Sequence, residues 1–400
     1  MPERTHRVAV VTTVIAPYRI PVFNALAQDP DIELHVVFLA RIHSGREWMV
    51  YEDEIRFQQQ VLRGCEISAG DRQYLVNVGT RRTLHDLEIE TVICGGYSEP
   101  ALIEAWLYSL TSDRKGILWS ESNWQDKPRK KVLEAAKRVV VARFDRWLVP
   151  GISARNYLLH LGAYEKDVYV APNAVDIDYF AEQSMQYRQN ADEHKSRKGY
   201  PETIILFVGR FVHRKGVQCL LEAYRRIQRP DLGLVLVGDG SQRATYAAFC
   251  RQNGVNNVFW EGFRQREELP FYYGIANLFV MPSLSDPWGL VLNEAMACSL
   301  PVIAGEAAGA VPDLIVPGQN GLTLNPQDIE RMAQALSDML SDKRQLQKMG
   351  RNSYRIIQHY SPKRCAQGFA EAIKGNPNAA GVWSRMDTTD RVSLLEHAHG

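Results

Sequence analysis

Net charge is almost absent from this sequence, because its 47 lysine and arginine residues nearly balance its 46 aspartate and glutamate residues and leave a formal charge of +1. A chain without a strong positive field does not attract nucleic-acid phosphates over its whole surface, so we do not expect nucleic acid as a partner. No run approaches the roughly 18 apolar residues that a membrane-spanning helix needs. The first residues pass from charged side chains directly into a short strand-like run, which is unlike a secretory leader.

Cysteine is also scarce, and no two cysteines have the Cys-x-x-Cys spacing that is typical of zinc and redox sites. The cysteines are scattered through mostly apolar segments, at Cys65, Cys94, Cys219, Cys250, Cys298 and Cys365. This distribution predicts buried thiols rather than disulfides or metal ligands, as in a reducing compartment. We therefore expect a cytoplasmic protein.

The sequence has 400 residues, of which 45% are hydrophobic and 23% charged, and this length favours two globular domains. Short β-branched runs alternate with amphipathic stretches, and the alternation fades in a polar segment before it restarts. This pattern predicts an α/β fold with two Rossmann-like, doubly wound domains facing a cleft, where ligands bind at the carboxyl ends of the strands. The expected boundaries are an N-terminal domain over 1–180, a linker over 181–200, a C-terminal domain over 201–353, a helix over 354–374 that returns to the first domain, and a mobile tail over 375–400.

The segment FVGRFVHRKGVQCLL carries a candidate anion site. The predicted strand ends at Gly209, and Arg210 and Lys215 then precede the next helix. A helix start presents free N–H groups and a positive dipole end, to which these two side chains add full positive charges. The spacing therefore suits a diphosphate group, although such cations are also typical of a solvated loop.

Two acids, Asp286 and Glu294, lie at the two ends of a mostly apolar segment, the first of them in the motif SDPWGL. Asp286 precedes a proline, so it either caps a helix or contacts a ligand. Glu294 lies about two turns farther along, between segments that have the pattern of sheet core. A buried carboxylate needs hydrogen-bond donors, and the vicinal hydroxyl groups of a ribose would supply two of them.

Five motifs occur in order between about Ala171 and Leu324: PNAVDIDYF, VGRFVHRKG, VGDGSQR, SDPWGLVLNEAMACSLPVIA and GAVPDLIVPGQNGL. Together they resemble the retaining GT-B glycosyltransferases of family 4. The resemblance covers most of the chain, strongly in this stretch and weakly before it. In that family an E-x-x-x-x-x-x-x-E element spans the place of Asp286 and Glu294, so this chain has the shorter acid at the first position.

The resemblance implies how a nucleotide-sugar donor is held. Asp286 would hold hydroxyl groups of the donor sugar, and Glu294 would hold the ribose. The other donor-binding residues that it implies are the backbone groups around Gly289, Leu290 and Val291 at the phosphates, Gly209 and Gly238 close to the nucleotide, and Phe263 and Arg264 near its base. Arg210 and Lys215 match the pair that neutralises the leaving diphosphate, which would make a metal ion unnecessary.

Two motifs allow other interpretations. Asp176 and Asp178 form a D-x-D pair, which binds metal in GT-A transferases, but they lie where family 4 members carry a similar acidic turn. Gly238 and Gly240 lack the third glycine of a dinucleotide fingerprint, so VGDGSQR indicates either a nucleotide-binding turn or a tight turn alone. We expect no metal ion, no NAD and no other cofactor, with the nucleotide-diphosphate sugar as substrate.

The N-terminal half is expected to bind the acceptor, and it departs from the family pattern. Many members have a glycine-rich loop after the first strand and a histidine at the end of a later one, where this chain has Tyr18, Arg19 and Glu121. Glu121 either polarises an acceptor hydroxyl group, bonds to the donor sugar, caps a helix or forms an ion pair. The residues expected at the acceptor are Tyr18, Arg19, Tyr97, Glu99 and Trp119, although aromatic residues at strand ends are often core.

The basic stretch from Lys127 to Arg138 lies against an apolar face. It predicts either a solvated surface helix or a helix that docks on an anionic membrane, where lipid-linked acceptors reside. Peripheral contact with the inner face of the membrane is one of these two open alternatives.

Together these features predict a metal-independent retaining glycosyltransferase with Arg210, Lys215, Asp286 and Glu121 as its catalytic residues. It would move a sugar from a UDP- or GDP-sugar to a hydroxyl group of a glycan, lipid-linked or small-molecule acceptor. The alternatives are a GT-B nucleotide-sugar epimerase or phosphorylase, a nucleotide-sugar-binding protein without catalysis, and an NAD oxidoreductase.

Overall fold

The structure is a computed structural model that describes residues 5–44, 47–69, 72–111, 113–126 and 129–376. Lys127 of the basic stretch and residues 377–400 of the expected tail lie outside the described residues.

The strands are β1 (His6–Val14), β2 (Ile32–Ala40), β3 (Gln58–Val61), β4 (Gly64–Ala69), β5 (Arg72–Asn77), β6 (Thr91–Cys94), β7 (Lys115–Trp119), β8 (Arg146–Val149), β9 (Val168–Val170), β10 (Thr203–Val208), β11 (Leu232–Val237), β12 (Val258–Gly262), β13 (Leu278–Met281), β14 (Val302–Gly305) and β15 (Gly321–Leu324). The helices are α1 (Ile20–Leu26), α2 (Thr80–Asp86), α3 (Pro100–Ser109), α4 (Lys131–Val141), α5 (Ile152–His160), α6 (Ile177–Gln189), α7 (Ala191–Lys198), α8 (Val217–Ile227), α9 (Arg243–Gln252), α10 (Leu269–Ile275), α11 (Leu290–Ala297), α12 (Val311–Leu314), α13 (Ile329–Ser341), α14 (Lys343–Ile357) and α15 (Pro362–Lys374).

The first compact unit comprises residues up to 124, residues 129–174 and the described residues from 362 onward. It contains a parallel sheet in the order β3-β2-β1-β6-β7-β8-β9 and an antiparallel β4–β5 hairpin. Successive side chains of a strand point to opposite faces of its sheet. Val8 and Val10 of β1 therefore enter one core layer, and Ala9 and Val11 enter the other. Because both faces are buried, the strand is apolar throughout this run.

The second compact unit comprises residues 175–361 together with residues 125–126. Its parallel sheet has the order β12-β11-β10-β13-β14-β15. Ile204 and Leu206 of β10 face one core layer, whereas Ile205 and Phe207 face the other. The strand order reverses between β10 and β13, so the carboxyl ends of these two strands form the switch point at which doubly wound sheets bind ligands.

The predicted linker over 181–200 is wrong, because this segment is helical and belongs to the second unit. The side chains of Ile177 and Phe180, in the first turn of α6, enter the core of that unit. Farther along α6, Arg188 donates a hydrogen bond to the backbone carbonyl of Cys298 at 2.7 Å. The polar composition concealed this packing because α6 buries only a narrow face.

The helix that returns to the first unit begins at Pro362, whereas the sequence pattern placed its start at 354. Residues 354–357 instead end α14 in the second unit. The proline disfavours a helical conformation in the residue before it, which separates the two helices. α15 then packs Phe369 against Trp119 of the first unit, with 5.1 Å between the ring centroids.

Candidate active site

Loops after β10, β11 and β13 meet at the switch point of the second unit. Gly216 has a φ of 67° and lies so close to the loop after β13 that an added Cβ atom would overlap the carbonyl oxygen of Pro282. Gly238, after β11, approaches the carbonyl oxygen of Gly209 in the same way. These glycines therefore let the three loops pack backbone against backbone.

Gly216→Ala should destabilise the protein more than Gly254→Ala. Both glycines have a left-handed backbone, with φ values of 67° and 62°, so each substitution costs about 1 kcal/mol of backbone strain. At Gly216 the new methyl group would meet the backbone of Pro282, whereas at Gly254 nothing lies within 4 Å of the new methyl group. We expect Gly216→Ala to lower the free energy of unfolding by about 1 to 3 kcal/mol more than its control. Denaturant titration measures the difference, and equal losses would show that the loops are not closely packed.

Lys215 lies in the loop after β10 and Asp286 in the loop after β13, and the Lys215 Nζ atom forms an ion pair with Asp286 Oδ2. The two side chains are only 14% and 10% exposed. Burial lowers the pKa of Lys215, Asp286 opposes this fall, and the nearby cations Arg214 and Arg210 add to it. The group thus carries more positive than negative charge in a partly buried place, which suits a diphosphate. The structure brings together three of the four residues that were predicted to be catalytic, namely Arg210, Lys215 and Asp286.

Asp286 is not a helix N-cap, so that alternative is wrong. α11 begins at Leu290, and its N-cap is Gly289 with a φ of 104°. The carbonyl oxygen of Asp286 instead accepts a hydrogen bond from the Gly309 N–H at 3.0 Å. The N–H groups of Leu290 and Val291 lie in the first turn of α11, where a helix offers no carbonyl of its own. Contact between these N–H groups and phosphates stays a prediction.

Glu294 lies on α11, surrounded by protein but with some accessible surface. Tyr273 Oη donates a hydrogen bond to Glu294 Oε2 at 2.6 Å. Burial raises the pKa of Glu294 to about 7, although the hydrogen bond from Tyr273 opposes the rise. Ionising this buried carboxyl group is costly unless further hydrogen-bond donors reach it. The hydroxyl groups of a ligand could be those donors, so Glu294 fits a ligand-binding site. Sequence reasoning missed Tyr273, because a tyrosine in an apolar run carries no signal of its hydrogen-bond partner.

Phe263 and Arg264 follow β12, where they were predicted to lie near the nucleotide base. Phe263 is 40% exposed, so its ring has an accessible face. Arg264 donates to Glu268 at 2.9 Å, and its guanidinium also lies 3.5 Å from Glu261. Glu261 accepts a further hydrogen bond from Tyr272 at 2.9 Å. This network restrains the arginine, and its contact with a base stays a prediction.

Arg19 connects the ends of three strands in the first unit. Its Nη2 atom forms an ion pair with Glu121, after β7, and donates to Asn173 Oδ1, after β9, at 2.7 Å. Its guanidinium carbon lies 4.4 Å from the ring centroid of Trp119 and 5.1 Å from that of Tyr18. The ion pair considered for Glu121 is therefore present. Asn173 belongs to the motif PNAVDIDYF, but the motif gave no sign of its contact with Arg19.

Three other residues expected at the acceptor have structural contacts. Trp119 is buried with its ring against Phe369, which favours the core alternative. Glu99 accepts a hydrogen bond from the Leu75 N–H in β5 at 2.9 Å. Burial raises the pKa of Tyr97 to about 12 and so keeps its hydroxyl group protonated. Contact between these three residues and an acceptor stays a prediction.

The described residues contain no group of three or more His, Cys, Asp or Glu side chains that could hold a metal ion. Asp176 of the D-x-D pair caps α6, and its side chain accepts a hydrogen bond from the Tyr179 N–H at 3.1 Å. Asp178 lies in the first turn of the same helix, where an acid is favoured by the helix dipole. The pair therefore has a structural explanation.

Residues 188–356 match the family model described as Glycosyl transferases group 1. We call this matched segment the group 1 domain; it covers less than half of the chain. This group 1 domain includes the loops after β10 and β13, and hence Lys215, Asp286 and Glu294. The cationic loop and the two acids singled out in the sequence thus lie in the part of the chain that the family model covers.

Two curated relatives each match part of the chain. The chain is 32% identical over 190 residues to the GDP-mannose-dependent alpha-(1-6)-phosphatidylinositol monomannoside mannosyltransferase of Mycolicibacterium smegmatis, across 45% of this chain and 48% of that protein. It is 27% identical over 266 residues to a sulfoquinovosyl transferase of Arabidopsis thaliana, across 65% of this chain and 49% of that protein. The chain thus spans about half the length of these curated relatives.

A solved structure with a similar fold is that of Anabaena HepE in complex with UDP and glucose. The two chains superimpose with a TM-score of 0.71 at 17% identity, across 92% of this chain and 99% of that one. At this identity the likeness shows the fold. The predicted fold class, α/β with two Rossmann-like domains of the GT-B type, is confirmed.

Proposed function

We propose that the chain is a retaining glycosyltransferase that moves a sugar from a nucleotide-sugar donor to a hydroxyl group of an acceptor. The observation that carries the proposal is the partly buried Lys215–Asp286 pair at the switch point of the group 1 domain. A cation beside a carboxylate can meet a diphosphate and the hydroxyl groups of a sugar at the same time. Glu294, on the helix after this loop, would hold the ribose.

In the proposed reaction, the acceptor oxygen forms a bond to the anomeric carbon while the bond from that carbon to a diphosphate oxygen breaks. The bonding electrons leave with the diphosphate, and the acceptor hydroxyl proton passes to a diphosphate oxygen. Negative charge therefore grows on the diphosphate, where Lys215 and Arg210 would stabilise it. Attack on the face that the diphosphate leaves gives retention, which the resemblance to family 4 supports.

A UDP- or GDP-sugar is the donor class that we propose. The HepE structure contains UDP and glucose, and the Mycolicibacterium smegmatis relative is GDP-mannose-dependent. Thermal-shift screening of UDP- and GDP-sugars tests this class, because a ligand at about 100 times its Kd adds about 2.7 kcal/mol of stability. We expect a selective rise in Tm for one of these donors. A panel that leaves the Tm unchanged throughout would argue against a nucleotide-sugar enzyme.

The donor found by this screen then separates the alternatives. Release of nucleoside diphosphate that requires an acceptor indicates transfer, epimerised donor indicates an epimerase, and binding without turnover indicates a non-catalytic protein. We expect release to continue in EDTA, because Lys215 and Arg210 would supply the positive charge that a metal ion supplies elsewhere. Activity that is lost in EDTA and restored by manganese would refute metal independence.

We also propose that α4 makes peripheral contact with an anionic membrane at its cytoplasmic face. Within the described ranges, the helices are too short or too polar to cross a bilayer. α4 turns apolar side chains outward, with Val132 82% exposed and Val139 55% exposed. Lys130 and Lys131 are exposed at its start, as an interfacial helix requires. Arg129 is different, since its guanidinium packs over a buried tyrosine ring.

Replacing Lys130 and Lys131 together with glutamine should weaken binding to phosphatidylglycerol-rich vesicles by about 1 kcal/mol for each lost charge. The matched control replaces Arg81 and Arg82, two exposed cations of α2, with glutamine and should weaken binding less. Vesicle cosedimentation measures both variants. The proposal fails if the first variant binds like the unsubstituted protein, or if the unsubstituted protein does not bind such vesicles.

A further inference from the structure

Arg19 is a buried cation at the carboxyl edge of the first sheet. It follows β1, beside the point where the strand order reverses, and it is 6% exposed. Burial lowers the pKa of Arg19, but the neighbouring Glu121 and Tyr18 outweigh this effect, so the pKa is raised and the side chain is charged. A buried charge is tolerated only with close partners, so the contact with Glu121 is part of what allows Arg19 to be there.

The guanidinium group of Arg19 is enclosed by protein, whereas the carboxylate that it holds is not. The Nη1 atom of Arg19 is buried, with no hydrogen-bond partner in the part of the chain that the structure describes. Its Nη2 atom is engaged by Glu121 and Asn173. The Glu121 side chain, in contrast, is 33% exposed. Direct contact between Arg19 and an acceptor stays a prediction, and Glu121 is the more accessible member of the pair.

We propose that Arg19 is a positioning residue for the glycosyltransferase reaction proposed above, and that it fixes the Glu121 carboxylate toward a substrate hydroxyl group. A glutamate side chain has several rotatable bonds, so an unheld one samples many orientations. Asn173 and the Trp119 ring fix the direction of the guanidinium, and the ion pair passes that direction on to the carboxylate. A hydroxyl group bonded to a fixed carboxylate is held ready for reaction.

A double-mutant cycle on kcat tests this inference, with the donor identified by the thermal-shift screen as substrate. Arg19→Met and Glu121→Gln should each lower kcat by about 10- to 100-fold. The double variant should be no slower than Glu121→Gln alone, because Arg19 acts through that carboxylate. Arg19→Lys should recover part of the loss, since lysine restores the charge but not the forked donor. Losses that multiply in the double variant would overturn the inference.

Lost stability is the competing explanation, and Lys374→Met controls for it. Lys374 pairs with Asp29 at 2.9 Å in the same unit, so its loss should lower Tm without lowering kcat. If Arg19→Met does not fold, Arg19→Lys decides the matter, because a folded variant with full kcat overturns the inference. A wild-type protein that turns over no donor removes the proposed function and this inference with it. If the wild-type enzyme is active but the losses in kcat multiply in the double variant, the inference about Arg19 fails while the proposed function stands.

Discussion

Lys215→Met should lower kcat by about 100- to 1,000-fold, which is the usual effect of removing one preorganised group that stabilises developing charge. Methionine keeps the length of the buried stem, so the variant loses the charge with little change in packing. KM for the donor should change less than kcat, because the diphosphate carries the most charge in the transition state. Steady-state release of nucleoside diphosphate measures both constants.

Lys343→Met is the matched control for Lys215→Met. Lys343 pairs with Glu202 on the exposed surface of the same unit, where an ion pair contributes little. We expect its kcat to stay within about twofold of wild type. Because Lys215→Met also leaves Asp286 without its cation, the Tm of each variant is recorded alongside. A folded Lys215→Met protein with wild-type kcat would exclude a catalytic role for this lysine.

The affinity for UDP or GDP should fall by about tenfold between pH 8 and pH 6. Burial raises the pKa of Glu294 to about 7 in the nucleotide-free protein, so this carboxyl group is mostly ionised at the higher pH and mostly protonated at the lower. The ionised carboxylate accepts hydrogen bonds through both oxygens, whereas the protonated form carries a proton on one of them. Binding should therefore release a proton below the pKa and strengthen as the pH rises through it. Calorimetry in buffers of different ionisation enthalpy measures the affinity and the proton release.

Glu294→Gln separates this effect from the titration of the nucleotide's own phosphates. Glutamine still accepts a hydrogen bond but carries no charge, so the affinity at pH 8 should fall by about 1 to 3 kcal/mol. The variant should keep the pH dependence that belongs to the nucleotide and lose the part that belongs to Glu294. If the slope with pH matches that of the wild type, another group is titrating.

The two sheets were predictable because their central strands are buried on both faces. The runs TIILFV in β10 and LGLVLV in β11 are apolar throughout, and such runs are a strong signal of parallel sheet. The α6–α7 segment was not predictable in the same way. α6 is held by contacts with residues far away in the sequence, such as the hydrogen bond from Arg188 to a carbonyl group 110 residues away, and these contacts leave no periodic trace in the sequence.

The residues of the candidate site could be named from the sequence, but their partners could not. Glycine and cation spacing marked Lys215, and the family motif marked Asp286. Their direct ion pair depends on the strand order, which brings together two loops 71 residues apart. Tyr273 and Asn173 were missed for the same reason, since each meets its charged partner only through the fold.

We propose that the nucleotide-sugar donor binds at the switch point, with its ribose on Glu294 and its sugar on Asp286. Isothermal titration of UDP and GDP at pH 8 tests this placement most directly. We predict that the wild-type protein binds one of them and that Glu294→Gln weakens this binding by about 1 to 3 kcal/mol. Asp286→Asn should not weaken it, because asparagine removes a negative charge beside Lys215 and keeps an acceptor for its hydrogen bond. Equal losses in the two variants, or a wild-type protein that binds neither nucleotide, would contradict these assignments.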